Sequence, residues 1–331
     1  MDKSQALQTS QTQQTKYVGR FAPSPTGPLH LGSVIAALAS FLDARAHHGQ
    51  WLVRIDDIDG PREQVGAAQA ILRSLQELGM TSDLPVIWQS QRNAAYEAAL
   101  HVLISKDLVY PCSCSRSDIA AAIAAAASAS VPAQNVSTTT SSETSPAGNL
   151  QIYPGTCRNG VQNPGAAISC RLRVTAEPIT WSDRPGGFDH GRLQTSRLDQ
   201  SVGDFTVRRS DGLWTYQLTV VVDDAFSGIT SIVRGEDLAD STARQVYMAR
   251  CLGISPPTTL HIPVLNDTHG LKLSKQNGAP AVVTDGTTGQ RIALLNEALV
   301  HLELPVVSAN SLTQFWKLAT AQWAASHWMD G

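Results

Sequence analysis

Apolar positions along the chain fall into short runs that alternate between two periods. Residues 17–21 and 51–55 are compact, strand-length apolar runs. Between them lies VIAALASFLDARAHHG, with apolar residues at helical spacing and a closing glycine, Gly49. Residues 63–78 repeat the helical spacing, with Ile71, Leu72, Leu75 and Leu78 on one face, and residues 93–106 do so again. Strand, loop, helix, strand, helix in that order predicts an α/β domain on a parallel sheet. Further on, residues 167–174 and 204–209 read as strands, and 238–252 as a helix ending at Gly253. Residues 291–303 and the Trp-containing tail after 311 read as helices. Residues 213–222 are too apolar for their period to separate strand from helix. No internal repeat interrupts this order.

Two stretches fall outside the pattern. The first sixteen residues are rich in Gln, Thr and Ser and lack the apolar core of a secretory signal, which predicts a disordered tail. Residues 120–150 hold an alanine run and then SASVPAQNVSTTTSSETSPAGN. Few large side chains are present there to bury, which predicts a mobile insertion, with order resuming near Ile152.

Composition narrows the class. The 331 residues are 42% hydrophobic and 16% charged, ordinary for a globular chain with a real core. No apolar run approaches the roughly 20 residues that span a bilayer. A formal net charge of −3 argues against a general nucleic-acid coat but leaves room for a local basic face. Five cysteines, two of them as Cys112-Ser-Cys114, suit a reducing compartment and a metal site better than a disulfide scaffold, so a cytoplasmic location is expected.

The first chemical feature is the turn Pro23-Ser-Pro-Thr-Gly-Pro28, followed by Leu29-His30-Leu31-Gly32-Ser33, at the mouth of the first helix. A Pro/Gly-rich turn opening a helix presents backbone N–H groups and the positive end of the helix dipole, a setting for nucleotide phosphates, and His30 adds a side-chain donor. The second is Leu271-Lys272-Leu273-Ser274-Lys275, preceded by His269-Gly270. Two lysines around a serine on a glycine-flanked loop can clamp a polyphosphate as its charge redistributes during transfer. The third is Arg54-Ile-Asp56-Asp57-Ile-Asp59, acids at the end of a strand, where α/β sheets bind ligands. Arg20 offers a fork for a carboxylate. The fourth is Cys112-x-Cys114 with Tyr153-x₃-Cys157, whose thiolates can ligate one Zn²⁺. On spacing alone, unrelated core cysteines remain an alternative. Cys170 and Cys251 sit in apolar runs and read as core.

The string Gly19-Arg20-Phe21-Ala22-Pro23-Ser24-Pro25-Thr26-Gly27-Pro28-Leu29-His30-Leu31-Gly32 resembles the nucleotide-binding first motif of glutamyl-type class I tRNA synthetases, with Ser33 in place of a second histidine. Lys272-Leu-Ser-Lys275 resembles the lysine loop of the same family. The two motifs stand in the family's order, about 240 residues apart, which makes the pair far more specific than either alone. Residues 213–218, 220–224 and 232–238, the last containing Arg234-Gly-Glu-Asp, resemble the family's substrate-binding segments. The resemblance runs from residue 17 to about 285 and implies a Rossmann-like parallel sheet with an inserted acceptor-arm and zinc subdomain and a small helical C-terminal part. The implied division is a tail over 1–16, halves of the catalytic domain over 17–110 and 201–265, an insertion over 111–200, and a lysine-loop and helical region over 266–331.

By resemblance, His30, Lys272 and Lys275 carry catalysis; His30, Gly32 and Lys275 hold ATP, which comes with Mg²⁺. Arg20, Ala22, Ser24, Asp56, Tyr216 and Arg234 line the glutamate pocket, with Asp56 standing where the family has Glu. Cys112, Cys114, Tyr153 and Cys157 are implied as ligands of a structural Zn²⁺. The chain ends where the helical anticodon-binding region of a full glutamyl-tRNA synthetase begins. That, with the Cys/Tyr set and the Lys-Leu-Ser-Lys-Gln-Asn loop, is similar to the glutamyl-Q tRNA(Asp) synthetase family. The implied substrates are L-glutamate, ATP and a tRNA(Asp) carrying queuosine, handled by a monomer with no membrane attachment. The rivals are a truncated glutamyl-tRNA synthetase and a non-catalytic paralogue binding RNA or protein. A dinucleotide oxidoreductase is set aside, because the first strand is not followed by Gly-x-Gly-x-x-Gly.

Overall fold

In the computed structural model, which describes residues 16–129, 152–265 and 280–329, the first half of the chain builds a parallel sheet. β1 (Val18–Phe21), α1 (Leu31–Ala46), β2 (Gln50–Ile55), α2 (Ala67–Glu77), β3 (Ile87–Trp88) and α3 (Asn93–Ser105) follow one another. β2 lies between β1 and β3, parallel to both, with Arg20 opposite Leu52 and Arg54 opposite Ile87. α1 is apolar on nearly every side because it is wrapped on nearly every side: Val34, Leu38 and Leu42 are all fully buried. α2 begins four residues later than the apolar spacing predicts. Residues 60–62 form a tight 3₁₀ turn, and Gly66 at φ +80° starts the helix.

The middle of the chain holds β4 (Val109–Cys112), α4 (Arg116–Ala129), β5 (Ser169–Leu172), β6 (Ile179–Trp181), β7 (Gln194–Ser196), α5 (Leu198–Ser201) and β8 (Phe205–Arg208). β4, β5 and β8 form an antiparallel sheet, and β6 pairs antiparallel with β7. The alanine run expected to open the insertion belongs to α4. Ser115 accepts from the Asp118 N–H at 3.2 Å while the Asp118 carboxylate accepts from the Ser115 N–H at 2.8 Å, a reciprocal cap. Alanine, poor at filling a core, is the best helix former. The remainder of the Ala/Ser/Thr-rich stretch, 130–151, and the tail over 1–15 lie outside the described residues.

The chain then returns to the first sheet through α6 (Tyr216–Phe226), β9 (Ser231–Gly235), α7 (Ala239–Leu252) and β10 (Thr258–Ile262). The stretch that period could not resolve is therefore helical from Tyr216, and both of its sides are buried. β9 and β10 run parallel. The Thr230 N–H donates to the Val18 carbonyl and the Val18 N–H to the Thr230 hydroxyl, both at 2.9 Å, which sets β9 beside β1. α8 (Thr288–His301) starts with a capping box between Thr287 and Gln290, and α9 (Leu312–Ala324) is capped by Ser311. Phe315 and Trp323 of α9 are fully buried in the core that contains α1. Among the described residues no helix is long and apolar enough to cross a membrane.

Candidate active site

The parallel strands end together. The C-terminal ends of β1, β2, β9 and β10 and the N-terminal ends of α1 and α6 surround a cleft of about 400 Å³. A crevice outside the carboxyl ends of a parallel sheet is where this architecture binds ligands. Arg20, Ala22, Ser24, His30, Gly32, Asp56, Tyr216 and Arg234 all line it. Eight residues spread over more than 200 positions of sequence thus share one cavity. Lys272 and Lys275 lie outside the described residues.

His30 is the residue just before α1. Its backbone is extended (φ −113°, ψ 170°), and its Nδ1 accepts from the Ser33 N–H at 3.3 Å, so the ring itself caps the helix. Gly32 makes this possible: a Cβ there would stand 3.1 Å from the His30 Cε1 and 3.2 Å from Nδ1. The 16-residue helix α1 aims its positive dipole end at the cleft.

Arginine and aspartate side chains make the cleft floor. Arg20 Nε and Nη2 each donate to Asp224 at 3.2 Å. The fork read as open for a substrate carboxylate is turned onto a protein one. Arg54 donates to Asp56 Oδ1 at 2.6 Å and to Asp224 Oδ1 at 2.6 Å, all three residues buried. On the far side Asp223 accepts from Arg92, from Gln89 at 2.8 Å and from the Tyr96 hydroxyl at 2.7 Å. Burial pushes the Asp224 carboxyl up, but Arg20 and Arg54 outweigh it and hold it below the usual carboxylate range. Burial prevails at Asp56, which lies above that range even with Arg54 beside it. In sequence Asp223 and Asp224 belong to a matched run that assigns them no role. Their signal is two adjacent acids directly after the apolar run Val220-Val221-Val222.

Arg234 is held differently. Its guanidinium, on a residue only 4% exposed, donates from Nε to His261 Nε2 at 3.0 Å, from Nη1 to Gln245 Oε1 at 2.8 Å and from Nη2 to the Thr242 hydroxyl at 2.8 Å. All three acceptors are neutral, and among the described residues Arg234 has no ion-pair partner within 4.0 Å. Burial, with the Arg20 cation nearby, lowers its affinity for the proton, offset in part by the Tyr216 side chain and the more distant Asp224 carboxylate. Tyr216, 37% exposed at the start of α6, stands over the same cavity. His261 and Asp183, behind Arg234, fall outside every matched segment of the sequence.

A second cluster sits away from the cleft. The sulfurs of Cys112, Cys114 and Cys157 lie within 4.8 Å of one another. The Tyr153 hydroxyl is 3.3 Å from the Cys112 Sγ and 3.6 Å from the Cys114 Sγ, and the Cys114 and Cys157 sulfurs are 3.5 Å apart. A tetrahedral Zn²⁺ with bonds of about 2.3 Å to sulfur and about 2.0 Å to oxygen has S–S edges of about 3.8 Å and S–O edges of about 3.5 Å. The donor set fits that metal in chemistry and in spacing. Arg171 balances its negative charge, donating to the Cys112 Sγ at 3.3 Å and lying 3.8 Å over the Tyr153 ring. Burial pushes the Cys114 thiol up to about 11. At Cys157 the same burial is outweighed by backbone N–H groups of Gln162 and Ser113, and the thiol comes down to about 6.

Comparison with known proteins agrees with this geometry. Residues 16–319 match the family described as tRNA synthetases class I (E and Q), catalytic domain. A glutamyl-Q tRNA(Asp) synthetase of Burkholderia cenocepacia is 48% identical over 93% of this chain and 96% of its own length. One from Bordetella bronchiseptica is 44% identical over 93% of this chain and 89% of its own length. Among solved structures, the glutamate-tRNA synthetase of Elizabethkingia anophelis superposes with a TM-score of 0.63 at 25% identity, covering 80% of this chain. The match takes in 53% of that protein, so the chain spans about half of it. A glutamate tRNA ligase of Elizabethkingia meningosepticum shares the fold at a TM-score of 0.68 and 23% identity, over 91% of this chain and 64% of its own length. The chain therefore belongs to the class I tRNA synthetases (E and Q) and, within them, to the glutamyl-Q tRNA(Asp) synthetase family of aminoacyl-tRNA-synthetase-like ligases.

Proposed function

We propose that this chain activates L-glutamate with ATP in the absence of tRNA and then transfers the glutamate to queuosine in the anticodon of tRNA(Asp). The observation that carries the glutamate reading is Arg234, a buried cation beside the cleft whose protein acceptors are all neutral. Asp224 attracts this cation only from beyond ion-pair distance; a buried charge without a direct counter-charge is costly, and a carboxylate ligand supplies one. Arg20, already held by Asp224, adds positive potential rather than an open fork. Ala22 and Ser24, just beyond β1, and Tyr216 form the walls around the substrate. Asp56, shorter than Glu and engaged by Arg54, receives the substrate ammonium through a water.

Activation is in-line attack of the glutamate α-carboxylate on the ATP α-phosphate, which releases pyrophosphate and leaves glutamyl-adenylate. Positioning and charge stabilisation supply most of the acceleration in such a step. The α1 N-terminus, His30 and the space over Gly32 receive the triphosphate, with Lys272 and Lys275 as the candidate cations for its charge and Mg²⁺ carried by the nucleotide. Zn²⁺ held by Cys112, Cys114, Tyr153 and Cys157 supplies a structural crosslink between the end of β4 and the 153–157 turn. Those residues stand away from the cleft, so they shape the protein without touching the reacting atoms.

The acceptor is tested by incubating the protein with ATP, radiolabelled glutamate and either queuosine-containing tRNA(Asp) or tRNA(Glu). Label is expected in tRNA(Asp), in a form that depends on queuosine. Label at the 3′ end of tRNA(Glu) would instead identify a truncated glutamyl-tRNA synthetase.

A further inference from the structure

The way Arg234 is held extends beyond its immediate partners. His261, on β10, is 0% exposed, and its Nε2 accepts from the Arg234 Nε, so that nitrogen carries no proton. Its other nitrogen, Nδ1, lies 2.8 Å from Asp183 Oδ1, while Asp183 Oδ2 accepts the His261 backbone N–H at 2.7 Å. Asp183, 3% exposed, can only accept, so it requires the proton on Nδ1. Trp181 and Phe188 pack edge to face with the imidazole, their centroids 5.9 and 5.5 Å from that of His261.

Asp183 is itself fixed from an unexpected direction. It follows β6, and its backbone bridges to Thr259 of β10, the Arg184 N–H donating to the Thr259 carbonyl at 2.9 Å. Arg184 then grips Asp43 of α1 at 2.7 and 2.9 Å and the Trp328 carbonyl at 2.9 Å. Gly187 must be glycine, because a Cβ there would fall 2.3 Å from Asp183 Oδ2. A segment from outside the parallel sheet thus plants one carboxylate behind the cleft.

We infer that Asp183 is a positioning residue for the substrate carboxylate: through His261 it fixes the tautomer that orients the Arg234 guanidinium. The inference rests on the assignment of Arg234 to glutamate made above. Asp183→Asn is nearly isosteric and separates the two ideas. Its amide oxygen can still accept the His261 backbone N–H, but its NH₂ then faces Nδ1, which must become the acceptor. The ring proton moves to Nε2 and meets the Arg234 Nε–H donor to donor, its other neighbour being the Thr242 hydroxyl at 3.4 Å, which already accepts from the Arg234 Nη2. The same logic makes carboxylate-to-amide exchange behind a catalytic histidine a tautomer lesion.

Two readouts are needed. Long-range ¹H–¹⁵N spectra of ¹⁵N-histidine-labelled protein report the tautomer, His261 being assigned from the signal that H261Q removes. Steady-state pyrophosphate exchange reports KM for glutamate and for ATP separately. The wild type is expected to show a neutral Nδ1–H His261, and D183N, checked for folding by its thermal melt, an Nε2–H form. D183N should raise KM for glutamate about 10- to 100-fold, as loss of a hydrogen bond to a charged group does, with KM for ATP changing less than about twofold. H261Q keeps an acceptor toward Arg234 and should stay nearer wild type than D183N, whereas H261L should not. An Nε2–H or doubly protonated His261 in the wild type, or a folded D183N with an unchanged tautomer, overturns the relay. A tautomer switch with glutamate KM unmoved supports the relay and overturns the assignment of Arg234 to glutamate.

Discussion

At the scale of single residues, the cleft depends on which side chains hold which charges. Arg20, Asp56, Tyr216 and Arg234 could be named from sequence because each falls within a matched segment. Their partners could not, because Asp224 meets Arg20 across 204 positions and Asp183 meets His261 across 78. Contacts that long depend on topology and leave no local spacing to read. Asp224 serves Arg20 and Arg54 together, so Asp224→Asn should leave two buried guanidinium groups short of a counter-charge. A loss of about 3–5 kcal/mol at neutral pH is expected, measured by urea unfolding. Because Arg20 and Arg54 depress the folded-state carboxyl, its contribution is full above the ordinary carboxylate pKa and fades as pH falls through the folded value. The gap between wild type and D224N should therefore narrow on acidification below about pH 4. A gap independent of pH would show that Asp224 acts by shape rather than by charge.

At the scale of elements, the helices and strands of the parallel sheet were legible wherever one face is apolar and the other polar, as α2 shows with Ile71 and Leu75 buried. α6 was not, because Leu218, Val220 and Val221 on its apolar sides and Asp223 and Asp224 on its polar one are all buried, which erases the stripe that a period detects. α4 was hidden by composition, since a run of alanines has no core-forming face yet propagates a helix. The cysteine cluster belongs to this scale too, because β4 supplies Cys112 and the 153–157 turn supplies Tyr153 and Cys157. Metal analysis of purified protein should find about one zinc per chain, and chelation should lower Tm by roughly 5–10 °C. Zinc well below one per chain, or a melt indifferent to chelation, would mean that the cluster is held by packing alone.

Across the whole molecule, residues 18–55, 179–188 and 216–262, far apart in the chain, converge behind and around one cavity. The parallel strands provide its floor, α1 the helix N-terminus that faces it, and the segment after β6 the carboxylate behind Arg234. α9 closes the far side of α1, where the Trp323 Nε1 donates to Asp43 at 3.0 Å, the same aspartate that Arg184 grips. Activation without RNA, proposed above, is the claim on which this assembly of the cleft bears. Glutamate-dependent exchange of pyrophosphate into ATP, measured with no tRNA present, tests this most directly. Robust exchange that requires glutamate is the predicted result. A folded, zinc-replete protein that exchanges nothing until tRNA is added, or nothing at all, would contradict the account.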